Sequence, residues 1–171
     1  IQSTTNVNNE VISLQSPAVM YDVVKRLHLD VDYRAEGIFY PQVRYGQNLP
    51  LTVTFTGLAD NETAALTVQA VRPQGVKLTS FVHNGEEVDG EVVGALNDTL
   101  VTPVGKVVIR PAAAYGAWQK DAEPLSVSRS PLSSTVTRYA SGLGVALNDN
   151  KATIIDLTFR DVCIQRAEDI L

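Results

Sequence analysis

The sequence has few of the residues on which metal, redox and disulfide chemistry depends. It contains one cysteine, two histidines, one methionine and one tryptophan in 171 residues. A single cysteine cannot form an internal disulfide, and it leaves the redox compartment undecided. A structural zinc site needs four Cys or His ligands and is therefore close to excluded. We predict that the chain binds no cofactor.

Long hydrophobic runs and clusters of positive charge are also missing. No run approaches the roughly 18 apolar residues needed to cross a bilayer. The polar start, IQSTTNVNN, lacks the charged and then apolar regions of a signal peptide. A formal net charge of −5, with no local Lys/Arg cluster, argues against a nucleic-acid partner.

Motifs for nucleophilic catalysis and phosphate binding are missing as well. No G-x-S-x-G nucleophile turn occurs, and Gly105–Lys106 is followed by Val where a phosphate-binding loop needs Ser or Thr. His28 falls near a predicted helix end and His83 in a predicted hairpin, which favours a catalytic role for neither. Retaining glycosidases use a pair of carboxylates, and four neighbouring residues are candidates for such a pair: Glu86, Glu87, Asp89 and Glu91. A solvated acidic loop is the favoured interpretation of these four residues. We predict that the chain is not an enzyme.

Helical signals are clear in the stretch SPAVMYDVVKRLHL. Ser16 is a good N-cap, and Pro17 suits the first helical position because that position needs no N–H donor. Apolar residues then recur at helical spacing, at Met20, Val23, Val24 and Leu27. A shorter helix is predicted before it, over Asn8–Gln15.

From Val31 onward the period changes to two, which predicts strands. The clearest segments are LPLTVTF, ALTVQA, VKLTSFV, KVVIR and LSVSR. Gly57–Glu62 is predicted to be a loop, and HNGE at His83–Glu86 carries the Asn-Gly hairpin signal. The acidic stretch EEVDGEVVG is predicted to be a weak edge strand or a loop. Pro111–Glu123 is predicted to be a loop or a short helical turn.

The last third of the chain mixes both periods. A helix is predicted from Ser130 to Gly142 or Gly144, followed by a strand pair that turns at Asn148–Lys151. In the closing stretch ATIIDLTFRDVCIQRAEDIL, Leu157 is at the centre of a strand. Asp161 then caps a helix whose apolar stripe contains Ile164, Ala167 and Leu171, with Cys163 and Ile170 beside it.

The order of elements predicts a single α+β domain over residues 1–171. We expect a mixed, largely antiparallel sheet with helices packed mainly on one face. The stripe of the last helix is still in phase at Leu171, and the first residue is Ile1. We therefore expect a soluble piece excised from a longer protein, truncated at the start of a long C-terminal helix.

Tyr115 and Trp118 are the candidate ligand-contacting residues. Exposed aromatic rings can stack on sugar rings, so this pair is a possible glycan contact. The alternative is that both rings fix the loop to the core, with the indole N–H donating to a backbone carbonyl. Cys163 is interpreted as a small buried hydrophobic residue.

Four segments, in order, resemble the periplasmic domain of bacterial polysaccharide co-polymerases, the chain-length determinant family. They are NNEVISLQSPAVMYDVVKRLHL, TPVGKVVI, LSVSRSP with the helix and strand after it, and KATIIDLTFRDVCIQRAEDIL. Together they cover roughly half of the chain. Residues 57–100 are longer and more strand-rich than in compact members of that family.

The resemblance implies an assembly module that regulates the chain length of O-antigen, capsule or exopolysaccharide. Members are anchored in the inner membrane at both ends, project this domain into the periplasm and form rings by self-association. They act with the polysaccharide polymerase or export machinery, and many carry a cytoplasmic tyrosine kinase domain. A second hypothesis is an extracytoplasmic glycan-binding module that contacts the growing glycan.

Overall fold

The fold is described from a computed structural model, in which residues 16–37, 39–147, 155–159, 161 and 163–171 are described. The chain forms two compact units. Unit 1 combines Ile1–Asp30 with Leu132–Leu171, and unit 2 is the continuous segment Val31–Pro131. The predicted helix over Asn8–Gln15 and the predicted turn at Asn148–Lys151 lie outside the described residues.

Unit 1 begins with the helix predicted from its capping residues. Helix α1 spans Pro17–Leu27, and the Ser16 hydroxyl accepts a hydrogen bond from the Ala18 N–H. Met20 and Val24 are buried, as their spacing predicts. The helix ends at His28, whose φ of 51° is in the left-handed region. That conformation closes many helices because it lets the next N–H groups reach back to the last carbonyls.

Helix α3 spans Leu132–Gly142, so it begins two residues later than predicted and ends at the first of the two predicted glycines. Its buried face contains Val136 and Tyr139. Strand β11, Leu143–Leu147, pairs antiparallel with β12, Ile155–Phe159, and places Val145 opposite Leu157. The burial of the Leu157 side chain lies outside what the structure describes.

The last helix, α4, spans Ile164–Ile170 and packs with α1, which in turn packs with α3. Ile170 is buried, but Leu171 is 49% exposed, so the predicted stripe is wrong at its last member. Asp161 accepts the Cys163 N–H at 3.1 Å and forms a two-pronged ion pair with Arg166, both N–O distances being 2.6 Å. The buried cation was not predicted, because a lone Arg on a helix normally faces solvent.

Unit 2 contains a seven-stranded antiparallel sheet. Its strands are β1 (Val31–Ala35), β2 (Gln42–Val43), β4 (Ala64–Val71), β5 (Gly75–His83), β6 (Glu86–Val88), β7 (Val92–Ala95) and β10 (Leu125–Arg129). The spatial order is β2-β1-β10-β4-β5-β6, with β7 also paired to β5. The acidic stretch predicted as an edge strand or a loop therefore provides two short edge strands.

A second sheet of three strands completes unit 2. It has the order β3-β9-β8, with β3 at Leu51–Thr56, β8 at Thr99–Thr102 and β9 at Gly105–Pro111. A short 3-10 helix spans Gly46–Asn48, and helix α2 spans Tyr115–Asp121. All described strand pairs are antiparallel, which confirms the predicted α+β class with a largely antiparallel sheet.

The core of unit 2 is built from the inward-facing residues of both sheets. Alternation along β4 and β10 buries every second side chain, as the period-two pattern predicts. The largest fully buried side chains include Leu51, Leu66, Leu78, Phe81, Ile109 and Leu125. Tyr33 joins this core, and its hydroxyl accepts the Val53 N–H at 2.9 Å. That bond satisfies a backbone donor on β3, the outer strand of its sheet among the described strands.

Candidate functional site

The predicted glycan contacts, Tyr115 and Trp118, lie in the first turn and the middle of α2. This helix packs against β4, and both aromatic side chains belong to or pack against the core of unit 2. Trp118 is 6% exposed, and its indole N–H donates to the Glu123 carbonyl at 2.7 Å. The ring centroids of Tyr115 and Trp118 are 5.9 Å apart.

This arrangement matches the packing alternative for the pair. A buried indole with a backbone acceptor anchors the segment after α2, and Glu123 extends that anchor through a 3.1 Å ion pair with Arg44. With 6% of Trp118 exposed, little of the indole is open to a sugar ring. Glycan contact at this pair stays a prediction, and the half-buried Tyr115 offers more surface for it than Trp118 does.

The Tyr115 hydroxyl is the one polar side-chain atom, within the described part of the chain, that is buried without a hydrogen-bond partner. Removal from water disfavours the phenolate, so burial raises the pKa of Tyr115 above its usual value. An unpaired buried hydroxyl costs stability. The group is therefore held in place by packing of the ring, not by polar contacts.

Two other aromatic residues are exposed instead. Phe39 and Tyr40, here called the aromatic tip, lie in the loop between β1 and β2 and are 91% and 72% exposed. Sequence reasoning did not single them out, because GIFYPQV has the apolar content of a strand. The available signal was Pro41 and Gly37 on either side, which favours a turn.

The predicted catalytic candidates do not form a catalytic group. His28 is exposed at the end of α1, whereas His83 ends β5 and lies 3.1 Å from the Glu62 carboxylate. The four carboxylates Glu86, Glu87, Asp89 and Glu91 are all exposed at or beyond the edge strand β6. Glu91 lies 3.6 Å from Lys77, which is an ordinary surface ion pair.

Polar contacts of unit 2 concentrate around the loop between β3 and β4. The Arg129 guanidinium, 8% exposed, donates from Nη1 to the carbonyls of Ala59 at 2.6 Å and Glu62 at 2.8 Å. The Glu62 carboxylate accepts the Ala59 N–H at 2.7 Å. That N–H bond and the contact with His83 hold the pKa of Glu62 below its usual value. These bonds tie the loop between β3 and β4 to the ends of β5 and β10.

An open depression of about 320 Å³ lies on the outer part of the seven-stranded sheet. It is lined by β5 and by the segment around β6, including Phe81, Glu87, Val88 and Asp89. Its two carboxylates, Glu87 and Asp89, are exposed and therefore solvated. Within the described residues no group of three or more His, Cys, Asp and Glu side chains is placed to hold a metal ion.

No helix in the described part of the chain is long and apolar enough to cross a membrane. No protein-family model matches the chain, and no curated protein shows significant similarity to it.

Proposed function

We propose that this chain is a non-enzymatic assembly domain in the bacterial periplasm. It regulates chain length in the biosynthesis and export of O-antigen, capsule or exopolysaccharide. The proposal rests on the four ordered segments that resemble chain-length determinants and on the fold that they adopt. In the full-length protein, inner-membrane anchors hold the domain, and its partners are further copies of itself and the polymerase or export machinery.

The observation that carries the proposal is the composition of unit 1. Its first helix, α1, packs with both α3 and α4, although more than a hundred residues separate α1 from α3. The chain enters unit 2 after Asp30 and returns at Leu132, so the first and last described helices belong to one body. This topology suits a domain anchored at both ends, because both attachments would then emerge from the same unit.

Unit 2 then corresponds to a strand-rich insertion between the two halves of unit 1. The TPVGKVVI segment forms the turn between β8 and β9 and most of β9, and LSVSR forms β10. Both segments belong to the resemblance, which supports the assignment across the two units.

One observation favours the alternative, an extracytoplasmic glycan-binding module. The aromatic tip offers two exposed rings of the kind that stack on sugars, whereas Tyr115 and Trp118 do not. Glycan binding and length control are compatible functions.

The decisive experiment is made in cells with the full-length protein. Replacing residues 31–131 by a short flexible linker should retain any anchors and unit 1 but abolish length control. We expect the surface polysaccharide to change from a narrow to a broad length distribution on gels while its total amount persists. A loss of all polysaccharide, or an unchanged distribution with the protein present in the membrane, would contradict the proposal.

A further inference from the structure

The aromatic tip lies outside the core that the described residues form. Phe39 is 91% exposed and Tyr40 is 72% exposed, whereas Tyr33 in the same hairpin is buried. Single exposed hydrophobic residues are common, but two adjacent exposed aromatic rings form a patch of a size that is often functional. The tip is therefore a surface available to a ligand.

The base of the tip is fixed by several contacts. The Arg44 N–H donates to the Tyr33 carbonyl at 2.8 Å, and the Arg44 side chain forms the ion pair with Glu123. A Cβ at Gly37 would collide with the Tyr40 carbonyl oxygen, so the turn closes only with glycine there. The contacts of Arg44 therefore tie the two strands that carry the tip to each other and to the segment after α2.

The area of the tip is too small for a stable protein interface. A fully covered aromatic side chain buries about 150–250 Å², so two rings at these exposures offer on the order of 300 Å². A stable protein interface covers about 800 Å² on each partner. Val88 and Val93 cannot add to the patch, because β6 and β7 lie at the opposite margin of the sheet from β2, roughly 24 Å away.

We propose that Phe39 and Tyr40 form a stacking platform for an uncharged saccharide chain. The C–H groups on the face of a pyranose are attracted to the negative face of an aromatic ring. Exposed Glu36 and exposed Arg34 balance each other near the tip, but the chain as a whole carries a net charge of −5, which disfavours an acidic polymer. The choice of a surface polysaccharide as the natural ligand rests on the proposed function. The expectation that the two rings stack on a saccharide rests on their exposure and chemistry alone.

The test is a titration of the 171-residue chain followed by backbone and aromatic NMR shifts. Trp118 fluorescence is a poor readout because that indole is buried. Cellohexaose and maltohexaose are the neutral probes, and an acidic galacturonate hexamer is the comparison. We expect saturable shifts at residues 36–42 with a dissociation constant of roughly 1–10 mM for at least one neutral probe. The acidic probe should bind more weakly.

Matched variants separate an aromatic platform from a merely apolar one. Phe39→Leu and Tyr40→Leu should each weaken binding at least about fivefold, whereas Tyr40→Phe should retain it. Val101→Ala, at an exposed valine on β8, is the control and should bind as the parent chain does. Thermal unfolding of all four variants should match the parent, since neither aromatic residue contributes to the core.

Three results would overturn the proposal. The first is the absence of shifts at residues 36–42 with both neutral probes at about 20 mM. The second is full retention of binding in both leucine variants. The third is a set of shifts at these residues that depends on protein concentration without sugar, which would identify the tip as a contact between copies. None of these results bears on the length-control experiment, so the two proposals can fail separately.

Discussion

Arg129 shows how one buried charge can fix a loop at the residue scale. Its ion pair with Asp60 spans 3.9 Å and ends on a carboxylate that is 81% exposed, so solvent screens most of that interaction. The two short bonds to the carbonyls of Ala59 and Glu62 are shielded and matter more. The guanidinium therefore acts mainly as a hydrogen-bond donor to the backbone.

We expect Arg129→Met to lower the free energy of unfolding by about 2–3 kcal/mol, because it leaves two carbonyls without their charged donor. The matched control is Arg110→Met, at an exposed arginine whose bond to Thr54 is 3.3 Å. That variant should stay within about 0.5 kcal/mol of the parent. Urea unfolding followed by circular dichroism measures both. Equal losses in the two variants would refute the role assigned to Arg129.

Glu62 makes the same loop sensitive to acid. The Ala59 N–H, and then His83, hold the folded-state pKa of Glu62 below its ordinary value of 4.5. A lowered folded-state pKa means that ionised Glu62 stabilises the fold above the unfolded-state pKa. That contribution is lost as the pH falls through the folded-state pKa.

We expect Glu62→Gln to be less stable than the parent near neutral pH, since the charged acceptor is gone. The difference should narrow as the pH falls below the ordinary pKa of 4.5, and it should be lost once the pH has passed the lowered folded-state pKa of Glu62. Urea unfolding at a series of pH values measures it. A difference that stays constant over this range would show that the charge of Glu62 contributes nothing.

At the scale of the elements, the turns and caps decide where strands and helices end. Asn84 and Gly85 both have positive φ, 50° and 85°, which is the two-residue turn that suits a tight hairpin. Gly116, by contrast, lies inside α2, where glycine weakens a helix. A Cβ added at Gly85 or at Gly116 would have no neighbouring atom within 4 Å, so a methyl group meets open space at both.

Alanine substitutions at the two glycines should therefore change the stability of the chain in opposite directions. Gly85→Ala should destabilise the chain by about 1–2 kcal/mol, because the turn needs a left-handed backbone. Gly116→Ala should stabilise it by roughly 0.5 kcal/mol, because the unfolded chain loses freedom. Thermal melts of both variants compare them directly. A stabilising Gly85→Ala would mean that the hairpin does not need this turn.

These elements also show which features can be predicted from sequence. The Ser16–Pro17 start of α1 and the Asn84–Gly85 hairpin depend on neighbouring residues, so both were predicted and found. The environment of Trp118 depends on β4 and on the Glu123 carbonyl. The exposure of Phe39 depends on how the rest of the fold packs around the loop between β1 and β2. Arg166 is buried with Asp161 paired to it and with Tyr139 beside it, 5.8 Å separating the guanidinium from the ring centroid. Such contacts are set by tertiary structure, which local periodicity does not encode.

At the scale of the whole molecule, the proposed function expects no turnover by the purified chain. Its exposed carboxylates and His83 should support no hydrolysis of glycosides, esters or phosphates. Assays with chromogenic substrates of the three classes measure this. Turnover that disappears in Glu87→Gln or His83→Ala would show that the chain is an enzyme, whereas turnover unaffected by both would indicate a contaminant.

The last prediction concerns self-association. Among the described residues, the exposed large hydrophobic residues of unit 2 are divided among the aromatic tip, the opposite margin of the same sheet and Val101 on β8. Those of unit 1 are Val19, Tyr21 and Leu171. None of these groups approaches the roughly 800 Å² that each partner of a stable interface contributes. The net charge of −5 adds repulsion between copies. We therefore expect a monomer or a weak dimer from residues 1–171 at micromolar concentration.

Under the proposed function, a longer chain with membrane anchors and an extended last helix should form a closed ring. Anchoring confines the copies to one plane, which raises their effective concentration. It also lets small contacts add up around the ring. Light scattering of the 171-residue chain and of the detergent-solubilised full-length protein compares the two states. A stable ring from residues 1–171 alone would place the assembly surface within this chain, and a monomeric full-length protein would remove ring formation from the proposed function.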